Sequence, residues 1–397
     1  MRLEALPFIL VAAGVAAAAA YLLTPLAVRL ATASGAMDEP DAGRRIHVRA
    51  IPRAGGLAVA IAFLGVGAMA LYLNDEVGFF PAFRVDREEL VALFGGAAVA
   101  ATFGFIDDRW QLKARWQFVL QVGLAAFAIA LGVTITFIAN PFDFLFGEGP
   151  LSLSSLRFQS DLVIYLATGL WVVGMINSIN FIDGLDGLST GVALIAAITL
   201  GIISLSDGFG YAPVVALLCA VLAGALAGFL PWNFYPAKVF IGTTGVMVAG
   251  YALAVLAILG TAKIAVALLI LGVPIIDTFY IIVRRLLAGH SPFTPDRGHI
   301  HHRLLDLGLS HRDAVLMIYG LTVVLAILGY FLSGGSGPLY AFLGIVIGFG
   351  LLIYLLTWRS GREAALEASS YAAEDEPTVV ADGPSQEEAV DADARDD

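Results

Sequence analysis

Apolar residues along the chain gather into runs of membrane-spanning length. They lie at about 6–29, 55–73, 89–106, 117–138, 161–179, 190–206, 212–230, 244–260, 264–283, 314–333 and 338–358. Each is close to the roughly 20 residues that carry a helix across a hydrocarbon core. The pattern predicts an all-α membrane protein of about eleven transmembrane helices. The first run reads as a retained helix and not as a signal peptide, because Glu4 stands in its leading segment and no small-residue cleavage site follows a short apolar core. Between the fourth and fifth runs, residues 135–158 alternate β-forming residues around Asn140-Pro141 and Gly147. That stretch predicts a small extracytoplasmic hairpin.

Composition agrees with the pattern. The 397 residues are 59% hydrophobic and 14% charged, with a mean hydropathy of +0.86, whereas a soluble globule is nearer half apolar. The net charge of −11 says nothing about the spanning part, because residues 363–397 hold twelve acids and one base. Two parts follow: a polytopic domain over 1–360, and an acidic tail over 361–397 whose composition predicts disorder on the cytoplasmic side. The single cysteine, Cys219, lies in an apolar run and excludes both an intrachain disulfide and a cysteine-based metal site. With the N-terminus outside, seventeen Lys and Arg fall on the inner side and five on the outer. The positive-inside rule therefore predicts N-out, C-in.

Five inner segments are more polar than tethers between helices require. The first runs from Asp38 to Gly56 and carries Arg44, His47 and Arg53 ahead of a glycine pair. Cations beside a close backbone approach suit phosphate recognition, although positive-inside bias also supplies arginines here. The second is Asp107-Asp108-Arg109, at the end of the third run. Adjacent carboxylates at a hydrocarbon boundary are costly unless paired, hydrated or metal-bound, and Mg²⁺ takes one or two carboxylates together with substrate phosphates. The third, Asn177 to Leu188, is the most specific. Asn177, Asn180 and Asp183 follow at i,i+3 on one helical face, and Gly184, Asp186 and Gly187 form a turn beyond them. Two amides and two carboxylates converging on a turn point to a metal and polar-ligand site. The fourth, Pro236 to Gly245, places Lys238 before Gly242-Thr243-Thr244-Gly245, a phosphate-binding or Thr-capped helix start. The fifth carries His299, His301, His302 and Arg303. His299 and His302 are at i,i+3, as in a zinc site, but interleaved arginines repel a dication and suit the phosphates of an anionic substrate.

In this order the five segments resemble the polyprenyl-phosphate N-acetylhexosamine-1-phosphate transferase family, over roughly residues 20–335. The matching pieces are D-x-P…R-x-x-H…P-x-x-G-G at Asp38 to Gly56, D-D at Asp107 and Asp108, N-x-x-N-x-x-D-G-x-D-G-L at Asn177 to Leu188, and H-I-H-H at His299 to His302. The last form looks like the UDP-GlcNAc-using branch and not the pentapeptide translocase branch. The resemblance implies a multi-pass protein of the cell membrane that transfers N-acetylglucosamine-1-phosphate from UDP-GlcNAc to undecaprenyl phosphate. UMP is released and a cell-envelope polysaccharide is begun. It implies Mg²⁺ (Mn²⁺ as a substitute) on Asp107, Asp108, Asp183 and Asp186, with Asp107 and Asp108 catalytic. Arg44, His47, Arg53, Asn177, Asn180, Lys238, Thr243, His299, His301, His302 and Arg303 would contact substrate. Implied partners are the UDP-sugar, the lipid carrier, bilayer lipid and a second copy of the chain, with no nucleic acid.

One position departs from the family. Its usual F-x-G-D-x-G-S, whose Asp is held to bind Mg²⁺, reads Phe240-Ile-Gly242-Thr243-Thr244-Gly245-Val246 here. A catalytically impaired scaffold is therefore an alternative reading. A transporter is another, although the apolar runs hold almost no ionisable groups apart from Asp277.

Overall fold

The computed structural model describes residues 5–39, 50–80, 85–139, 155–157, 160–206, 211–260, 264–287, 300–332 and 339–348. Helix α1 covers Leu6–Ser34, α2 Gly56–Val77, α3 Arg87–Trp110, α4 Ala114–Ala130, α5 Asp161–Phe181 and α6 Leu188–Ser204. There follow α7 Pro213–Asn233, α8 Gly242–Leu259, α9 Ile264–Ile270, α10 Gly272–Leu287, α11 Ile300–Asp306 and α12 His311–Leu332. A last described helix, α13, runs over Leu339–Gly348.

The eleven apolar runs are helical over most of their described residues, except that the run at 117–138 leaves the helix after Ala130 and ends in a short strand, and not every run is a straight span. Among the described residues seven helices are long and apolar enough to cross a membrane: α1, α2, α3, α5, α7, α8 and α12. The run at 264–283 is the bent pair α9 and α10, turned by 78° at Leu271, where Gly272 weakens the helix and Pro274 has no N–H to donate. The run at 117–138 gives α4 of 17 residues, which stops at Ala130, and α6 is equally short. The end of the run at 338–358 lies outside the described residues, as does the acidic tail.

Two small ladders accompany the helices. Strand β3 (Phe137–Ala139) pairs antiparallel with β4 (Ser155–Arg157), Phe137 opposite Arg157 and Ala139 opposite Ser155. This is the hairpin expected from the alternation at 135–158. Unforeseen is β1 (Met37–Asp38) against β2 (Ile51–Pro52), with Met37 opposite Pro52. It closes the first polar loop and carries Arg53 back to Asp38.

Helix α8 is the axis of the arrangement. It packs against α2, α3, α5, α6 and α7 and is buried along nearly its whole length. With neighbours on every side it has little surface left for lipid or water, so it lies inside the bundle. The Tyr251 hydroxyl donates to the Ala92 carbonyl of α3 at 2.8 Å, and Trp171 Nε1 of α5 donates to the Ala254 carbonyl at 3.0 Å. Helices α1 and α7 meet where a Cβ on Gly224 or Gly228 would fall 2.1 and 2.0 Å from the carbonyls of Ala13 and Ala17. Such small-residue crossings let membrane helices approach closely.

Candidate functional site

The site residues stand at helix termini on one end of the bundle: the ends of α1, α3, α5 and α7, and the starts of α2, α4, α6 and α8. Backbone bonds sew these termini together. Phe240 N–H donates to the Pro52 carbonyl at 2.8 Å, Gly55 N–H to Phe240 at 3.0 Å and Gly56 N–H to Ile241 at 2.9 Å. The glycines permit the approach, since a Cβ on Gly56 would lie 2.1 Å from Gly245 N and one on Gly104 2.4 Å from Thr244 Cα. Gly242, at φ +65°, has its own Cα region against the Arg53 carbonyl and the Asp108 carboxylate. A side chain there would be strained by conformation and by space.

Asp107 and Asp108 are both buried, and each meets the start of α8. Thr243 N–H donates to Asp108 Oδ1 at 2.7 Å; Thr244 donates to Oδ2 from its N–H at 3.1 Å and its hydroxyl at 2.6 Å. Asp108 thus caps α8 from a different helix, an anion at a helix N-terminus. Asp107 Oδ2 accepts from the Thr243 hydroxyl at 2.6 Å and from Gln117 Nε2 at 3.0 Å, and Oδ1 accepts from Leu112 N–H at 3.0 Å. Thr243, at the family's Asp position, therefore touches both carboxylates. An ionised carboxylate offers about four acceptor sites. Among the described residues, three bonds on each leave one position on Oδ1 of Asp107 and one on Oδ1 of Asp108.

Arg53 joins this pair to the first and third segments. Its Nη1 is 3.2 Å from Asp38 Oδ1, and its charge acts on both Asp108 and Asp183. Asp183 is half-buried beyond the end of α5 and accepts from the Ser189 hydroxyl at 2.6 Å. Burial pushes its carboxyl up to about 6; the Ser189 bond and the Arg53 guanidinium pull down, while Asp186 adds to the rise.

Asp186 is held by its neighbours. Its Oδ2 accepts from Ala237 N–H at 2.9 Å, and its own N–H donates to His311 Nε2 at 2.8 Å. The His311 ring stacks on Tyr235, centroids 4.6 Å apart. Tyr319 donates to the Gly187 carbonyl from the next turns of α12. The glycine turn after α5 is thereby clamped between the fourth loop and α12. From the fifth segment, buried His301 lays its imidazole against Gly184. Asp277 of α10 accepts Ile300 N–H at 2.9 Å and so anchors α11. Arg303 lies over the Tyr280 ring at 5.1 Å and donates to its hydroxyl at 3.2 Å.

Not every expected residue faces an open site. The Asn177 amide is engaged by α4: its Nδ2 donates to Gln121 Oε1 at 2.6 Å and to the Val173 carbonyl at 2.8 Å. Asn180 is half-buried, and the exposed Lys238 holds its ammonium 5.4 Å from the Trp232 ring centre. Arg44, His47 and His299 lie outside the described residues, as does the side chain of His302. Among the described residues no three His, Cys, Asp or Glu side chains close on one metal-sized position. The four aspartates do not form a ready cage; Asp107 and Asp108 meet at Thr243, whereas Asp183 and Asp186 flank the glycine turn. Sequence reasoning named Thr244 only within a phosphate-binding or Thr-capped helix start, and missed Gln117, Gln121, Ser189 and the clamp by His311 and Tyr319. Gln117 and Gln121, polar and four residues apart in an apolar helix, were the one available signal.

The model of glycosyl transferase family 4 matches residues 90–261. A probable undecaprenyl-phosphate N-acetylglucosaminyl 1-phosphate transferase of Bacillus subtilis is 36% identical over 341 residues, covering 84% of this chain and 86% of the relative. A decaprenyl-phosphate N-acetylglucosaminephosphotransferase of Mycobacterium leprae is 37% identical over 330 residues, 77% of this chain and 78% of the relative. An undecaprenyl-phosphate alpha-N-acetylglucosaminyl 1-phosphate transferase of Yersinia pestis is 28% identical over 316 residues, 77% and 79% of the two chains. With the motif-bearing loops gathered at one end of a multi-pass membrane bundle, the chain belongs to glycosyl transferase family 4, the polyprenyl-phosphate N-acetylhexosamine-1-phosphate transferases.

Proposed function

We propose that the protein transfers N-acetylglucosamine-1-phosphate from UDP-GlcNAc to undecaprenyl phosphate and so begins a cell-envelope polysaccharide. The observation that carries this reading is the meeting of Arg53, Asp107, Asp108 and Thr243 at one end of the bundle, in a chain similar over most of its length to transferases of that description. An oxygen of the acceptor phosphate attacks the sugar-bearing phosphorus. The bond from that phosphorus to the bridging oxygen breaks, and UMP leaves with that oxygen. Arg53 supplies the fixed cation beside the reacting phosphates, while His301 and Arg303 hold the donor. Asp107 and Asp108 bind the metal or take a proton from the lipid phosphate.

The donor set fits Mg²⁺, with Mn²⁺ as a substitute. One free acceptor position on each of two neighbouring carboxylates is the share a protein contributes when substrate phosphates and water complete the shell. Such an ion, when bound, neutralises diphosphate charge. Asp183 and Asp186 then serve the donor side of the site and the glycine turn.

We also propose that the eleven apolar runs form eleven crossings, N-out and C-in. The Lys/Arg excess favours this sense, and it puts the site at the face where a water-soluble nucleotide and a lipid phosphate meet. The purified protein, given UDP-GlcNAc, undecaprenyl phosphate and Mg²⁺, is expected to release UMP, and Asp107→Ala is expected to abolish release while the protein still inserts. No UMP from the wild type, or wild-type turnover in the variant, overturns the reading.

A further inference from the structure

The turn between α3 and α4 carries a pattern that the transfer chemistry leaves unused. Residues 109–116 hold Arg109, Lys113, Arg115, Trp110 and Trp116 and no acid. All five side chains are exposed, Trp110 at 63% and Trp116 at 51%. The Arg109 guanidinium lies 5.8 Å from the Trp110 ring centre, and that of Arg115 5.6 Å from Trp116. Each pair presents a cation on the face of an amphipathic ring. Among the described residues none of the three cations is paired with an acid.

The turn is also built firmly. Gln111 N–H donates to the Asp107 carbonyl at 2.7 Å, and Leu112 N–H and Gln117 Nε2 donate to the Asp107 carboxylate from either side of the turn. Helix α3 has 24 residues, about 36 Å at the α-helical rise, which exceeds a hydrocarbon core of roughly 30 Å. Its end therefore reaches the headgroup layer. Tryptophan favours that layer, and guanidinium groups take phosphate oxygens in paired hydrogen bonds. A purely aromatic belt would need no cations. Cations fulfilling only the topological bias would not need to be stacked on two exposed rings and fixed to one short turn.

We propose that the α3–α4 turn is a headgroup site for anionic phospholipid. Arg109, Lys113 and Arg115 take the phosphate charge, and Trp110 and Trp116 lie against the glycerol and upper acyl region. None of these five side chains is among those assigned above to the donor or to the acceptor.

Tryptophan emission from the full chain in phosphatidylcholine vesicles tests this directly. Part of the lipid is replaced by brominated phosphatidylglycerol or by an equal share of brominated phosphatidylcholine. Subtracting the signal of a Trp110→Phe/Trp116→Phe variant isolates the two rings. Brominated phosphatidylglycerol is expected to quench them roughly twofold more or better, as basic side chains enrich anionic lipid around themselves. Arg109→Gln/Lys113→Gln/Arg115→Gln is expected to lose that excess. Arg109→Lys/Arg115→Lys, which keeps the charge, is expected to retain it and guards against misfolding as the cause. Equal quenching by the two lipids in the wild type, an excess that persists in the glutamine variant, or one lost in the lysine variant overturns the proposal.

Discussion

Thr243 touches Asp107 through its hydroxyl and Asp108 through its N–H, in a position where a third carboxylate would crowd two others. Substituting Thr243→Asp is expected to lower thermal stability in chelator and to restore it on adding Mg²⁺, because like charges in a buried cluster need a cation. The Mg²⁺ concentration for half-maximal UMP release is expected to fall about tenfold, equivalent to ~1.4 kcal/mol. A metal titration with unchanged midpoint would place Thr243 outside metal binding. Asp183 offers a pH test. Its carboxyl sits at about 6 in the folded protein against 3.8 otherwise, so the folded state holds the extra proton between these values and stability falls as pH rises through them. Asp183→Asn, which still accepts from Ser189, is expected to raise the unfolding temperature above pH 6 and to leave it unchanged below 3.8. Metal-free melting curves across this range check the sign. Most of these residues were legible as single positions in the sequence. Their partners were not, because hydrogen bonds such as Thr244 to Asp108 join residues 136 apart.

At the scale of elements, the informative contacts are those that hold one loop against another. Helix α12 reaches the glycine turn with Tyr319 on Gly187 and His311 on Asp186. Removing the phenolic hydroxyl in Tyr319→Phe takes one partly buried hydrogen bond, a loss of about 1 kcal/mol, visible as a small drop in melting temperature. His311→Ala removes both an acceptor and a stacked ring, and is expected to raise the KM for UDP-GlcNAc more than it lowers stability. Equal effects of the two variants on KM would deny His311 a part in positioning the turn. Element existence was readable from hydropathy, since each of the eleven apolar runs contains helix among its described residues. The bend at Leu271 and the early end of α4 at Ala130 were not, because hydropathy alone does not distinguish one straight span from two short helices. The ladder of β1 and β2 escaped because two-residue strands leave no periodicity.

For the molecule as a whole, α8 occupies the middle and Asp108 holds its first turn. Asp108 accepts three hydrogen bonds from Thr243 and Thr244. Two come from backbone N–H groups that cannot reorient, and each would cost about 1–3 kcal/mol if left unsatisfied. Asp107 receives one backbone N–H, and its other two donors are side chains able to turn elsewhere. Mutational tolerance should therefore differ sharply among neighbours. In a library randomised at 107, 108 and 243 and sorted only for folded, membrane-inserted protein, position 108 is expected to return almost nothing but aspartate. Position 107 should return several polar residues, and position 243 should accept small polar ones freely. Selection for turnover would then narrow 107 without changing the outcome at 108, where the demand of the fold has already removed the freedom that chemistry would otherwise have to police.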